Sequence, residues 1–196
     1  MIIYVTNRKL CRESFLRRIE QLASGRPDGI ILREKDLSCA EYEKLAANIK
    51  EVCEKYGVDL IINQNVAAAL NLQIKHIQLS MENLRKHQTD LQHFRTIGAS
   101  VHSVEEAIEA QNLGATRLIA GHIFQTSSKN GLPPRGLSFL KQVCRATSLP
   151  VLAIGGVSEK NAKEVLAAGA IGICLMSEPM TCPNPEQLTK QLKQCF

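Results

Sequence analysis

The sequence contains no tryptophan, and aromatic residues make up only 4% of its 196 positions. Surfaces that read single-stranded nucleic acid stack bases on such rings, so this shortage argues against that class. No apolar run is long enough to span a membrane. The opening Met1-Ile2-Ile3-Tyr4-Val5-Thr6 is too short, and lacks the basic flank, to be a secretory leader. Seven cysteines are present (Cys11, Cys39, Cys53, Cys144, Cys174, Cys182 and Cys195), with no C-x-x-C pair and no Cys/His group at metal-ligand spacing. Most fall at apolar positions of expected helices and strands. Free thiols in a reducing cytoplasm are therefore the expectation. Excess charge is small as well: 24 Lys and Arg against 19 Asp and Glu give a net +5. The basic residues are scattered, with no basic stripe or helix-turn-helix, so neither a nucleic-acid nor a membrane partner is expected. The sequence leaves a homo-oligomer open.

What is present is a globular composition, 44% apolar and 22% charged, in a length that suits one domain with a real core. A unit of short β-branched run, polar turn and helical pattern recurs along it. Strands are expected at 2–6, 29–33, 59–63, 76–79, 96–101, 116–123, 150–154 and 171–176. Helices are expected at 11–24, 39–56, 66–71, 104–114, 137–147, 158–168 and 185–195, with a weak helix and loop over 82–93. Ser38-Cys39-Ala40-Glu41 forms a capping-box signature before the second helix. Eight alternations with short connections argue for a parallel sheet, and a closed (β/α)8 barrel over 1–196 is the natural eight-unit solution. A doubly wound open sheet is the structural alternative.

In such barrels the active site lies at the C-terminal ends of the strands. Those ends carry Thr6 and Asn7, Arg33-Glu34-Lys35, Asn63-Gln64, Gln78 and Ser80, Ser100 and His102, His122, Gly155-Gly156 and Ser177-Glu178. Gly155-Gly156 runs into Ser158, a helix cap. That pattern lets backbone approach a ligand and turns N–H groups and a helix dipole toward an anion. Ser177 and Glu178 would complete a phosphate cup. His122 stands at a strand end before a Gly/Pro/Ser/Thr loop, where an imidazole could both accept and return a proton near neutral pH. A structural turn role is the reading for His102. Arg33 and Lys35 could bind an anion, with Glu34 orienting them or titrating itself. Thr126, Ser128 and Lys129 could close over the ligand as a lid.

Four segments carry a family resemblance: Leu32-Arg33-Glu34-Lys35, Gly98-Ala99-Ser100-Val101-His102, Gly121-His122-Ile123-Phe124-Gln125-Thr126 and Val151-Leu152-Ala153-Ile154-Gly155-Gly156-Val157. In order and over nearly the whole chain, they resemble thiamine phosphate synthase and its relatives, the TenI-type thiazole tautomerases. The resemblance implies a (β/α)8 barrel that binds a thiazole phosphate at Gly155, Gly156 and around Ser177. The synthase branch joins a pyrimidine pyrophosphate to that thiazole phosphate with Mg²⁺, and carries Asn-Asp-Arg after the third strand and a second acid after the fourth. Here those places read Asn63-Gln64-Asn65 and Asn83, although Glu82 is next to the latter. The synthase usually has Gly-Pro where this chain has Gly121-His122, and Gly-His is similar to the tautomerase. The leading expectation is thus a thiazole tautomerase, an isomerase that aromatises a carboxythiazole phosphate through His122 with no metal and no redox cofactor. Its small phosphorylated substrate would be held by Arg33, Lys35, Asn63, Ser100, Thr126, Ser128, Lys129, Gly155, Gly156, Ser177 and Glu178. One alternative is a thiamine phosphate synthase, since Arg33, Lys35, Asn63, Ser100, Thr126 and Lys129 match pyrophosphate-side positions of the resemblance. The other is a regulatory protein that binds thiazole or thiamine phosphates without turnover.

Overall fold

Successive side chains on a strand point to opposite faces, and here both faces are buried. Ile3 and Val5 of the first strand turn into a lumen shared with Ile31, Ile61, Ile119, Leu152 and Cys174. Ile2 and Tyr4 turn outward into the layer packed by the helices. Burial on both sides is why the strands read as unbroken apolar runs rather than alternating ones.

The computed structural model describes residues 1–129 and 131–196; Asn130, part of the loop after His122, lies outside them. The strands are β1 (Ile2–Val5), β2 (Gly29–Leu32), β3 (Asp59–Asn63), β4 (His76–Ser80), β5 (Thr96–Val101), β6 (Arg117–Gly121), β7 (Val151–Ile154) and β8 (Gly172–Leu175). All neighbours are parallel, and β8 pairs with β1, so the sheet closes into the (β/α)8 barrel. The outer helices are α1 (Phe15–Ser24), α2 (Cys39–Tyr56), α3 (Val66–Asn71), α4 (Met81–Lys86), α5 (Val104–Asn112), α6 (Gly136–Ala146), α7 (Glu159–Ala167), α8 (Ser177–Thr181) and α9 (Pro185–Lys193). None is long and apolar enough to cross a membrane.

Local chemistry sets the boundaries. Glu41 N–H donates to Ser38 Oγ at 3.4 Å and Ser38 N–H donates to Glu41 Oε2 at 2.9 Å, closing the capping box of α2. Gly57 stops that helix in the left-handed region at φ 67°. Three expectations need correcting. The first helix begins at Phe15 rather than residue 11, because a 3-10 turn over Arg8–Leu10 occupies the preceding segment. The weak segment 82–93 divides into α4 and a 3-10 stretch, Gln88–His93. Ser177 and Glu178 lie on a helical turn, α8, that is absent from the expected helices.

Candidate functional site

The C-terminal strand ends open onto a cavity of about 610 Å³. His122, Arg33, Lys35, Asn63, Ser100, Thr126, Ser128, Lys129, Gly155, Gly156, Ser177 and Glu178 all line it. The barrel thus brings to one place residues spread over nearly 150 positions of sequence. Gln64, Gln78, Ser80 and Ser158 join them, and so does His102, which sequence reasoning assigned to a turn.

One end of the cavity is cationic. The turn after β2 alternates: Arg33 and Lys35 face the cavity, while Glu34 and Asp36 are engaged elsewhere. Glu34 Oε1 accepts from the Thr6 hydroxyl at 2.7 Å and from Arg8 N–H at 3.0 Å, and its Oε2 accepts from Arg8 Nη1 at 3.1 Å. Arg8 also donates to both oxygens of Asp36, at 2.6 and 2.9 Å. Pairing with Arg8, and then with Lys9, holds the Asp36 carboxyl well below the usual carboxylate range. Arg33 N–H donates to the Thr6 hydroxyl at 3.0 Å, so the same knot fixes the backbone that presents the cations. This corrects the expectation for Glu34: its side chain does not orient Arg33 and Lys35, because Thr6 and Arg8 occupy both oxygens. Arg8 carries no motif of its own, and its partner lies 26 residues away. The Lys35 ammonium is pushed below its usual value by Arg33, then by burial, then by Lys129, so the three cations share one neighbourhood.

Beside them, β3 and β4 end in amides. Gln64 sits in the left-handed region at φ 66°, with its N–H donating to Gln78 O at 2.9 Å. Its Oε1 accepts from Asn83 Nδ2 at 2.7 Å and Ser80 N–H at 3.1 Å. Asn65 caps α3 through Ala68 N–H at 3.0 Å, and Glu82 is exposed and away from the cavity lining. Magnesium is held by hard oxygens, usually carboxylates together with phosphate. Here the local amide oxygens are neutral, those of Gln64 and Asn65 already accept hydrogen bonds, and Glu34 is spent on Arg8. Among the described residues no three His, Cys, Asp or Glu side chains stand together as a metal group. The residues present do not fit a magnesium centre.

Three strands round the barrel from β2, the β7 end of the cavity is built on glycine. Gly155 and Gly156 have φ 96° and 64°. A Cβ at Gly155 would lie 2.3 Å from His122 Cβ, and one at Gly156 would lie 2.4 Å from Gln125 O. The pair is therefore required by the close crossing of residues 122–125 as well as by its own turn. Asn161 Nδ2 donates to Gly156 O at 2.9 Å and fixes the turn against α7. Where the chain returns toward α6, Arg135 N–H donates to His122 O and Gly136 N–H donates to Ile123 O, both at 3.0 Å. The buried His122 ring has Nε2 3.3 Å from Leu132 O. A cavity-facing imidazole is also present in His102, whose Nδ1 is 3.5 Å from Glu106. Burial, with lesser contributions from Lys129 and Arg135, lowers its affinity for a proton although Glu106 opposes this. Burial, with Glu159 adding to it, raises the Glu178 carboxyl. Across the floor, Gln78 Nε2 donates to Ser100 Oγ at 3.0 Å. Gly98 makes room for this carboxamide, since a Cβ there would fall 2.0 Å from Gln78 Oε1.

Parallel (β/α)8 barrels frequently carry a phosphate site at the loops after their seventh and eighth strands, and here a glycine turn follows β7 and a cationic turn follows β2. Residues 2–178 match the family described as thiamine monophosphate synthase, and the chain belongs to that family. It is 38% identical over 176 residues to the thiamine-phosphate synthase of Clostridium acetobutylicum, covering 88% of this chain and 83% of that one. It is 31% identical over 191 residues to the thiamine-phosphate synthase of Pyrococcus abyssi, covering 97% and 91%. Among solved structures, thiamine phosphate pyrophosphorylase from Pyrococcus furiosus superposes with a TM-score of 0.88 at 28% identity, covering 99% of this chain and 94% of that one.

These similarities overturn the tautomerase reading. The isomerase assignment rested on Gly121-His122 and on the amides at 64 and 83, whereas the relatives that share the sequence over most of its length are named as synthases. In the structure His122 Nε2 faces the Leu132 carbonyl oxygen at 3.3 Å, a contact that the sequence pattern does not show.

Proposed function

We propose that this protein is a thiamine-phosphate synthase, joining a pyrimidine diphosphate to a thiazole phosphate. The observation that carries this reading is one cavity with two ends suited to anions: Arg33, Lys35 and Lys129 at one, and the Gly155-Gly156 turn with Ser177 at the other. Two phosphorylated partners that must meet need two such ends. The names of the relatives agree with this reading.

In the reaction, the bond between the pyrimidine methylene and the diphosphate breaks as a bond from that methylene to the thiazole nitrogen forms. The electron pair leaves with the diphosphate, and no redox change is involved. Arg33, Lys35 and Lys129, already placed at the cavity, meet the charge that builds on the leaving group. The thiazole phosphate is anchored by backbone N–H groups of the 155–157 turn and by Ser177, with Glu178 at the rim. Asn63 and Ser100, the latter held by Gln78, offer polar groups to the pyrimidine between the two ends. The lid hydroxyls of Thr126 and Ser128 close over the diphosphate. His122 clasps the lid to Leu132 and so excludes water, which would otherwise compete with the thiazole nitrogen.

The test is a stoichiometry measured with excess Mg²⁺ present. Pyrophosphate should be released only when both substrates are supplied, one for each thiamine phosphate formed. Release without the thiazole phosphate, or no release at all, would refute the reading.

A further inference from the structure

We propose that the diphosphate end of the cavity takes its anion free of a divalent metal, with Arg33, Lys35 and Lys129 supplying the charge such an ion would bring. This rests on the synthase reading and specifies the ionic form in which the diphosphate group is bound.

Three observations carry it. First, among the described residues no acid pairs with these cations: Glu34 and Asp36, the acids beside Arg33 and Lys35 in sequence, are both paired with Arg8. Second, they lie close enough to repel one another, as the lowered Lys35 ammonium reports, with Arg33 the largest cause and Lys129 contributing. A cluster of like charges is relieved by a multiply charged anion and would be worsened by a further cation. Third, the cavity-lining side-chain oxygens at the ends of β3 and β4, those of Asn63, Gln64, Gln78 and Ser80, are all neutral. That of Gln64 is already accepting from Asn83 and Ser80. A hard divalent ion gains little from such donors, whereas guanidinium and ammonium groups bind phosphate oxygens by charge-assisted hydrogen bonds.

The experiment is calorimetric titration of the full chain with inorganic pyrophosphate, once in EDTA and once in excess MgCl₂ at matched ionic strength. Binding in EDTA should be as tight as, or tighter than, binding in MgCl₂, because magnesium ties up the anion's charge. Removing one cation, as in Arg33→Ala or Lys129→Ala, should weaken binding in EDTA by roughly tenfold or more. Binding seen only with Mg²⁺, or tightened tenfold by it, would overturn the metal-free site while leaving the synthase reading intact. Binding in neither condition would overturn both. Unweakened binding by both variants in EDTA would show that the anion is held elsewhere and would also sink the proposal.

Discussion

Replacing Arg8 by alanine probes how the cationic end is assembled. The Glu34 side chain is 2% exposed and Arg8 is 29% exposed. The variant leaves Glu34 with the Thr6 hydroxyl and the backbone N–H of residue 8, and removes the guanidinium that neutralises it. Stripping one partner from a fully buried ion pair costs about 3–5 kcal/mol. Arg8 is partly solvated, so water screens part of this, and the expected loss is about 2 kcal/mol. A chain of this length loses about 2–4 °C of Tm per kcal/mol, so Tm should fall by about 4–8 °C. Function should change in a particular way. Thr6, no longer held by a fixed Glu34, positions Arg33 less well, so KM for the diphosphate substrate should rise more than KM for the thiazole phosphate. Thermal unfolding followed by circular dichroism, together with steady-state kinetics in each substrate, reads both effects. Glu34→Gln should behave similarly, and the double variant should cost less than the two single losses combined. An unchanged Tm with an unchanged KM would refute the reasoning that this knot sets the site.

Other perturbations have equally definite outcomes. Gly98→Ala drives a Cβ to within 2.0 Å of Gln78 Oε1; the carboxamide must leave Ser100, and overpacking of this kind costs about 1–3 kcal/mol, measurable by urea denaturation. Gly156→Ala is strained both by its φ of 64° and by Gln125 O, so it should lower stability and raise KM for the thiazole phosphate together; a change in KM alone would mean that the glycine serves only the ligand. His122→Ala should loosen the lid and raise hydrolysis of the diphosphate substrate relative to coupling, read as pyrophosphate released in excess of thiamine phosphate. Lys35 adds a pH dependence. Its ammonium is destabilised in the free protein and favoured once an anion binds, so pyrophosphate binding should take up protons in the window from the lowered Lys35 value up to the ordinary one near 10.5, and weaken as pH rises through it. Titrations in buffers of different ionisation heat would detect the uptake.

Much of this architecture is legible in the chain because its signals are local. The Ser38–Glu41 box, the stop at Gly57 and the bounds of β3 and α3 rest on neighbouring residues, so pattern alone finds them. Cavity residues are legible for a related reason: once eight parallel units are counted, the strand ends are the mouth. The rest depends on distant partners. Nothing in Arg33-Glu34-Lys35 says that Glu34 is consumed by Arg8, because that pairing exists only when β1 and β2 lie side by side. Helix α8 escapes notice because five residues containing Pro179 are too few to show a period. Gly155 and Gly156 look like ligand glycines, yet the crossing of residues 122–125 demands them as well. The choice of reaction was misjudged for another reason. A histidine at one position and an amide at another are weak evidence beside similarity that runs through nearly the whole barrel.

The central claim is the coupling reaction, and mass spectrometry of the product tests it most directly. Purified protein would be given the pyrimidine diphosphate and the thiazole phosphate with excess Mg²⁺, so that the outcome does not depend on how the anion is held. Wild type should form thiamine phosphate, and the Arg33→Ala, Lys129→Ala double variant should form it at least tenfold more slowly. No thiamine phosphate from the wild type above the protein-free control would contradict the account.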